Sequence, residues 1–146
     1  MSWAGKKSFK DLFKSLFPQR EQALSSLMLL PEEEAALEAR LQTWVKNKGY
    51  RLPHRTLMEA AQSIGTSYPI LYRYFSADAR DFRTWRTALR IQDAMEQMKA
   101  EPDTPISTIS RRVGFSDRSN FARLFKAHIG LTPYQWRKEM ADQGRP

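Results

Sequence analysis

A chain of 146 residues, 41% hydrophobic and 27% charged, is long enough for one core or two very small ones and is not the composition of a disordered tail. It carries 24 Lys and Arg against 16 Asp and Glu, a net charge of +8, which favours a polyanionic partner: nucleic acid first, an anionic membrane surface second. The lack of cysteine excludes disulfides, iron–sulfur clusters and thiolate zinc sites, and two histidines as far apart as His54 and His128 suggest no metal site.

Near the start, SFKDLFKSLFPQ puts Phe9, Leu12, Phe13, Leu16 and Phe17 on one stripe, with Lys7, Lys10 and Lys14 off it. An amphipathic helix is expected there, capped by Ser8 and stopped by Pro18. No apolar run reaches the roughly 18 residues of a membrane span. Charges among the first apolar residues, with no small-residue cleavage site, do not read as a signal peptide. A weaker apolar segment, ALSSLMLLP, ends at Pro31.

PEEEAALEARLQTWVKNKGY predicts a strong helix. Pro31 fits its first turn, and Glu32, Glu33 and Glu34 suit its positive end. Leu37, Leu41, Trp44 and Val45 form its buried stripe, and Gly49 is expected to stop it. Thr56 and Glu59 then make a capping-box pattern. Leu57, Ala60, Ala61 and Ile64 face inward, and Gly65 terminates. A tight turn at Thr66–Ser67 leads into YPILYRYF, where Pro69 is tolerable in the first turn after a Ser67 cap. Asp81 opens a long helix that runs to Pro102.

In TPISTISRRVG, Thr104 caps, Pro105 starts, Ile106, Ile109 and Val113 pack, and Gly114 ends the helix. Asp117 caps the next one, which buries Phe121, Leu124 and Phe125 and turns Arg118, Ser119, Ala122 and Arg123 outward. TPYQWRKEM closes the chain with Thr132 as cap and Pro133 at the first position. No alternating strand with hairpin signals occurs, so an all-α fold is expected.

The two halves repeat. Leu57, Ala61, Ile64 and Gly65 match Ile106, Ser110, Val113 and Gly114 at an offset of 49. Leu71, Arg73 and Phe75 match Phe121, Arg123 and Phe125 at 50, and Trp85 matches Trp136 at 51. The slips fall in turns. A short capped helix, a glycine, a tight turn and a second helix, twice over, is the grammar of a helix-turn-helix. The exposed arginines of the second helix suit a phosphate-lined major groove, where an arginine fork pairs with guanine. The long connector spans about 27 Å, near the repeat of about 34 Å between major grooves on one face of DNA.

ISRRVGFSDRSNFARLFKAHIGLTPYQWRK resembles the signature of the AraC/XylS family of bacterial transcription regulators. Gly114, Phe115, Phe121, Phe125, Lys126, Gly130, Thr132, Pro133, Trp136 and Arg137 fit the pattern. The resemblance covers roughly residues 33–139. It implies an all-α domain of about seven helices: two helix-turn-helix subdomains (a homeodomain-like pair) on a connector helix. It implies double-stranded DNA as partner, with RNA polymerase a further one, and control of transcription initiation, activation included. Carried over by position, Tyr68, Pro69, Tyr72 and Arg73 face the groove in the first head. In the second, Arg118, Ser119, Ala122 and Arg123 do so, and Lys126 holds phosphate. Pro69 removes a backbone donor, Ser110 replaces a small apolar residue, and Arg80 stands where the family often has glycine. Base reading is therefore expected more from the second head than from the first, where Tyr72 and Arg73 carry the case.

The expected organisation is a basic amphipathic extension over 1–30, the DNA-binding domain over 31–139, and a tail over 140–146. Within the domain the first head lies at about 56–76, the connector at 81–100 and the second head at 104–128. The extension has three readings: a helix docked on the domain, a dimer contact, or a lipid-facing stretch over 6–17. The chain reads as a cytoplasmic regulator, standalone or the DNA-binding end of a longer protein, a membrane protein's cytoplasmic tail included. No cofactor, metal or small-molecule site is evident. With no Gly-x-Ser-x-Gly elbow, no phosphate-cradling loop and no cysteine nucleophile, an enzyme is not expected. The competing reading is an adaptor that binds DNA without sequence choice, or docks on protein only.

Overall fold

Seven α-helices and one 3-10 turn make up the regular structure of the described residues, 28–77 and 81–144, in a computed structural model. No strand occurs among them. The helix expected over 9–17 and the departure at Arg80 lie outside the described residues. Among those described, 28–49, 54–77, 81 and 82 form one compact unit, and 50–53 with 83–144 form a second.

The first unit holds α1 (Pro31–Lys46), α2 (Leu57–Ile64) and α3 (Tyr68–Ala77). Pro31 starts α1, and the Glu33 carboxylate reaches back to accept the Leu30 N–H at 3.1 Å. Leu37, Leu41 and Trp44 are buried. The expected stop at Gly49 is corrected: Asn47 caps α1, and Lys48 takes the left-handed φ of +57°. Gly49 is needed for space instead, because a Cβ there would run into the Trp44 indole.

That indole donates to Ser63 Oγ at 3.0 Å, and Tyr74 donates to Glu38 at 3.2 Å, so α1 is tied to both α2 and α3. Thr56 caps α2 by accepting the Glu59 N–H at 3.1 Å. The other half of the capping box is displaced by one residue, since Glu59 accepts from Arg55 N–H at 2.9 Å. Phe82 closes the unit, its ring 5.8 Å from that of Trp44 and 5.4 Å from that of Phe75.

The second unit holds nearly all of α4 (Phe82–Ala100), with α5 (Ile106–Arg112), α6 (Arg118–Ile129) and α7 (Pro133–Gln143). Ile91, Ala94 and Met98 of α4 form its core with Ile109, Val113, Phe115, Phe121, Phe125 and Trp136. The expected cap of α5 is corrected. Thr104 spends its hydroxyl on the Glu101 carboxylate at 2.8 Å, and Pro105 stands at the cap position with no side-chain bond. Thr132 and Gln135 form a full capping box, with Pro133 at the first position of α7. That helix runs to Gln143, and Met140 packs against the core.

One polar cluster lies inside this unit. Asp93, 3% exposed in the middle of α4, accepts from Arg51 Nε at 2.6 Å and Arg51 Nη2 at 2.8 Å. It also accepts from the Tyr50 hydroxyl at 2.9 Å and Gln97 at 3.0 Å, which fills both carboxylate oxygens. Arg90 donates to the carbonyls of Tyr50 at 2.6 Å and Leu52 at 3.0 Å. Residues 50–52 are thus held on α4 by both side chains and backbone. Burial alone would raise the Asp93 carboxyl. The bonds from Arg51, Gln97 and Tyr50 outweigh it and hold the group below its ordinary value. Burial, with Arg86 adding to it, lowers the Arg90 guanidinium to about 10.

Asp93→Ala removes one partner of a buried pair and is expected to cost about 3 kcal/mol at neutral pH. The native stabilisation is present above the ordinary carboxylate pKa of 3.8 and fades as pH falls through the lower folded-state value. Urea unfolding of both proteins along the acid limb should therefore show the gap between them closing. A gap that holds constant with pH would contradict this role.

Candidate nucleic-acid interface

Each unit reverses its chain at a glycine. Gly65 has φ +89° and Gly114 has φ +111°, a region that side chains strongly disfavour. The same pair of backbone bonds closes both turns. Gly65 N–H donates to Gln62 at 3.2 Å and Thr66 N–H to Ala61 at 2.9 Å. Gly114 N–H donates to Arg111 at 3.1 Å and Phe115 N–H to Ser110 at 3.0 Å. This is the Schellman arrangement, and the offset of 49 holds through it. The shift to 50 then falls where Ser116 and Asp117 stand against Ser67 alone. Asp117 accepts the Ser119 N–H at 2.8 Å, as an N-cap should. Ser110, buried where a small apolar residue is usual, satisfies its hydroxyl by donating to Ser107 O at 3.0 Å.

After each turn the second helix packs by one face. In α3, Leu71, Tyr74 and Phe75 are buried, while Tyr68, Pro69, Tyr72 and Arg73 are exposed. In α6, Phe121 and Phe125 are buried and Leu124 half-buried. Arg118, Ser119, Arg123 and Lys126 are exposed on that helix, with Ala122 half-buried. The nine residues singled out from the sequence thus fall into two sets, four on α3 and five on α6.

The two faces differ in chemistry. On α6, the Arg123 guanidinium donates to Asn120 Oδ1 at 2.7 Å. Asn120 was not among the expected residues, although its spacing of three from Arg123 on a helix is a readable signal. On α3, the rings of Tyr68 and Tyr72 stack at 5.9 Å with 19° between their planes.

Away from these faces, a cavity of about 460 Å³ lies beside the end of α4, lined by Met98, Tyr134, Trp136 and Arg137 among others. The Arg137 Nε and Nη2 atoms are buried without a hydrogen-bond partner, and burial lowers that guanidinium, with Asp103 opposing. No sequence motif announces this cavity. Among the described residues no group of His, Cys, Asp or Glu gathers that could hold a metal, and no helix is long and apolar enough to cross a membrane.

Two helices joined by a left-handed glycine turn, the second buried on one side and polar or basic on the other, define a helix-turn-helix domain. A family model described as a helix-turn-helix domain matches residues 60–139, more than half of the chain. The chain belongs to the AraC-type helix-turn-helix family, a class of DNA-binding transcription-regulator domains and not a class of enzymes.

It is 32% identical over 89 residues to the transcriptional activator NphR of a Rhodococcus species, which covers 61% of this chain and 26% of that protein. It is 37% identical over 59 residues to YesN of Bacillus subtilis (strain 168), an uncharacterized transcriptional regulatory protein, covering 40% of this chain and 16% of that one. The chain therefore matches about a quarter of the length of one relative and about a sixth of the other. No solved structure matches it.

The turn glycines give a stability test. A Cβ at Gly114 would lie 2.7 Å from the Arg51 carbonyl, while at Gly130 (φ +88°) it would meet nothing within 4 Å. Gly130→Ala should cost about 1–2 kcal/mol for the backbone conformation alone. Gly114→Ala should cost clearly more, because residues 50–52 must also move. Equal losses in urea unfolding would show that the close approach does not matter.

Proposed function

We propose that this chain binds double-stranded DNA sequence-specifically and regulates transcription initiation, with α3 and α6 seated in successive major grooves. The observation that carries this reading is the outer face of α6. Arg118, Ser119, Arg123 and Lys126 stand exposed on a helix that buries Phe121 and Phe125 on its opposite side. A net charge of +8 supports the same partner.

On this reading Arg123, held by Asn120, offers a guanidinium fork to guanine O6 and N7, and Arg118 and Ser119 stand at the groove entrance. Ala122 leaves room for close approach, and Lys126 sits on phosphate. In the first head, Tyr68, Pro69, Tyr72 and Arg73 take the corresponding places. The domain spans about 31–139, with its heads at 56–76 and 104–128. A regulator of initiation implies RNA polymerase as second partner and the cytoplasm as its place. The relative NphR is a transcriptional activator, which favours activation as the direction.

Selection of bound duplexes from random oligonucleotides by the full chain, at stated salt, tests this. An enriched motif is expected, and a selection without one would favour the sequence-neutral adaptor. On the selected site, Arg123→Ala should cost about 1–3 kcal/mol and relax the preference at a few base pairs. On random DNA it should cost much less. Lys126→Ala should weaken both duplexes alike and lower the slope of log affinity against log salt by about 0.9. Equal losses for Arg123→Ala on both duplexes would refute base reading by that residue.

A further inference from the structure

We infer that the first head reads thymine: Tyr68 and Tyr72 form an apolar wall on α3 that buries thymine 5-methyl groups in the major groove. This rests on the DNA-binding reading above and adds the class of base that one half of the site must carry.

The inference begins from the difference between two otherwise repeated helices. At the offset of 50, Arg118, Ser119 and Ala122 of α6 are replaced by Tyr68, Pro69 and Tyr72 of α3, and among these outward positions only Arg73 and Arg123 agree. The first turn of α3 has thus lost a guanidinium and, at Pro69, a backbone N–H, and its hydroxyl sits at the far end of the Tyr68 ring. Apart from Arg73, no side chain in this set on α3 offers the charged fork that pairs with guanine.

It has gained two large rings in water. Tyr68 is 42% and Tyr72 54% exposed, whereas Trp44, Tyr74, Phe75 and Phe82 of the same unit are each 7% exposed or less. Large apolar surface left outside a core that has room for other aromatics points to a partner that covers it. In the floor of the major groove the one apolar group is the thymine methyl. Guanine, cytosine and adenine present only donors and acceptors there.

The geometry suits a flat contact. The rings lie 19° from parallel with centroids 5.9 Å apart, one helical turn from each other. A ring pair at this spacing also supports the helix that carries it, so the wall exists before DNA arrives. Little ordering is then left to do on binding.

The test uses the full chain and its selected duplex. Each thymine is replaced in turn by deoxyuridine, which lacks only the methyl, and each cytosine by 5-methylcytosine. Each buried methyl removed should lower affinity about fourfold. The sensitive positions should lie in the half-site whose preferences survive Arg123→Ala. Tyr72→Ala should bind the thymine and deoxyuridine duplexes alike at those positions, while Tyr72→Phe, which keeps the ring, should still discriminate. Tyr72 is exposed, and circular dichroism checks that both variants fold.

A selected motif with no deoxyuridine effect in that half-site would overturn the inference and leave the DNA-binding reading standing. Loss of discrimination in Tyr72→Phe would assign the contact to the hydroxyl and also overturn it. A selection that returns no motif would overturn both.

Discussion

The left-handed turn at Gly65 and its counterpart at Gly114 is the constraint on which the rest of the structure depends. It reverses the chain within about two residues and closes its own orphaned carbonyls by the same two backbone bonds in each unit. Once that reversal is made, the following helix can bury only one side. Leu71 and Phe75 fill it in the first unit, Phe121 and Phe125 in the second. What remains outside is free of packing demands, which leaves its residue types open to a partner. The recognition surface proposed above therefore sits on the face that folding does not need.

The second unit carries a polar device of its own. Arg51 and Tyr50 saturate Asp93, while Arg90 takes two carbonyls of the same short segment. Buried charges are costly unless every lone pair and proton is satisfied, and this cluster comes close to that condition. It also explains the sharper demand at Gly114, which must leave room for the Arg51 carbonyl as well as take positive φ. Turn and cluster are parts of one packing problem.

Much of this was legible in the sequence because it is local. Glycine at a helix end, Asp117 just ahead of α6, and Thr132-Pro133 at the start of α7 each speak through neighbours within one turn of chain. The repeat then tied the two halves together. What escaped was either a competition or a long-range contact. Lys48 took the left-handed position because Gly49 was needed beside Trp44, and Thr104 found Glu101 before it found a helix amide. The Asp93 cluster joins residues more than forty apart and leaves no periodic trace. On the candidate site, the outward face of α6 followed from spacing, and that of α3 from the family resemblance. The stacking of Tyr68 on Tyr72 required coordinates, whereas the Asn120 support of Arg123 left a spacing signal that was passed over.

Hydroxyl-radical footprinting of the selected duplex by the full chain tests the two-headed reading most directly. Two protected tracts about 10 base pairs apart on one face of the duplex are expected from a single bound chain. One tract alone, or protection spread evenly along the DNA, would contradict it.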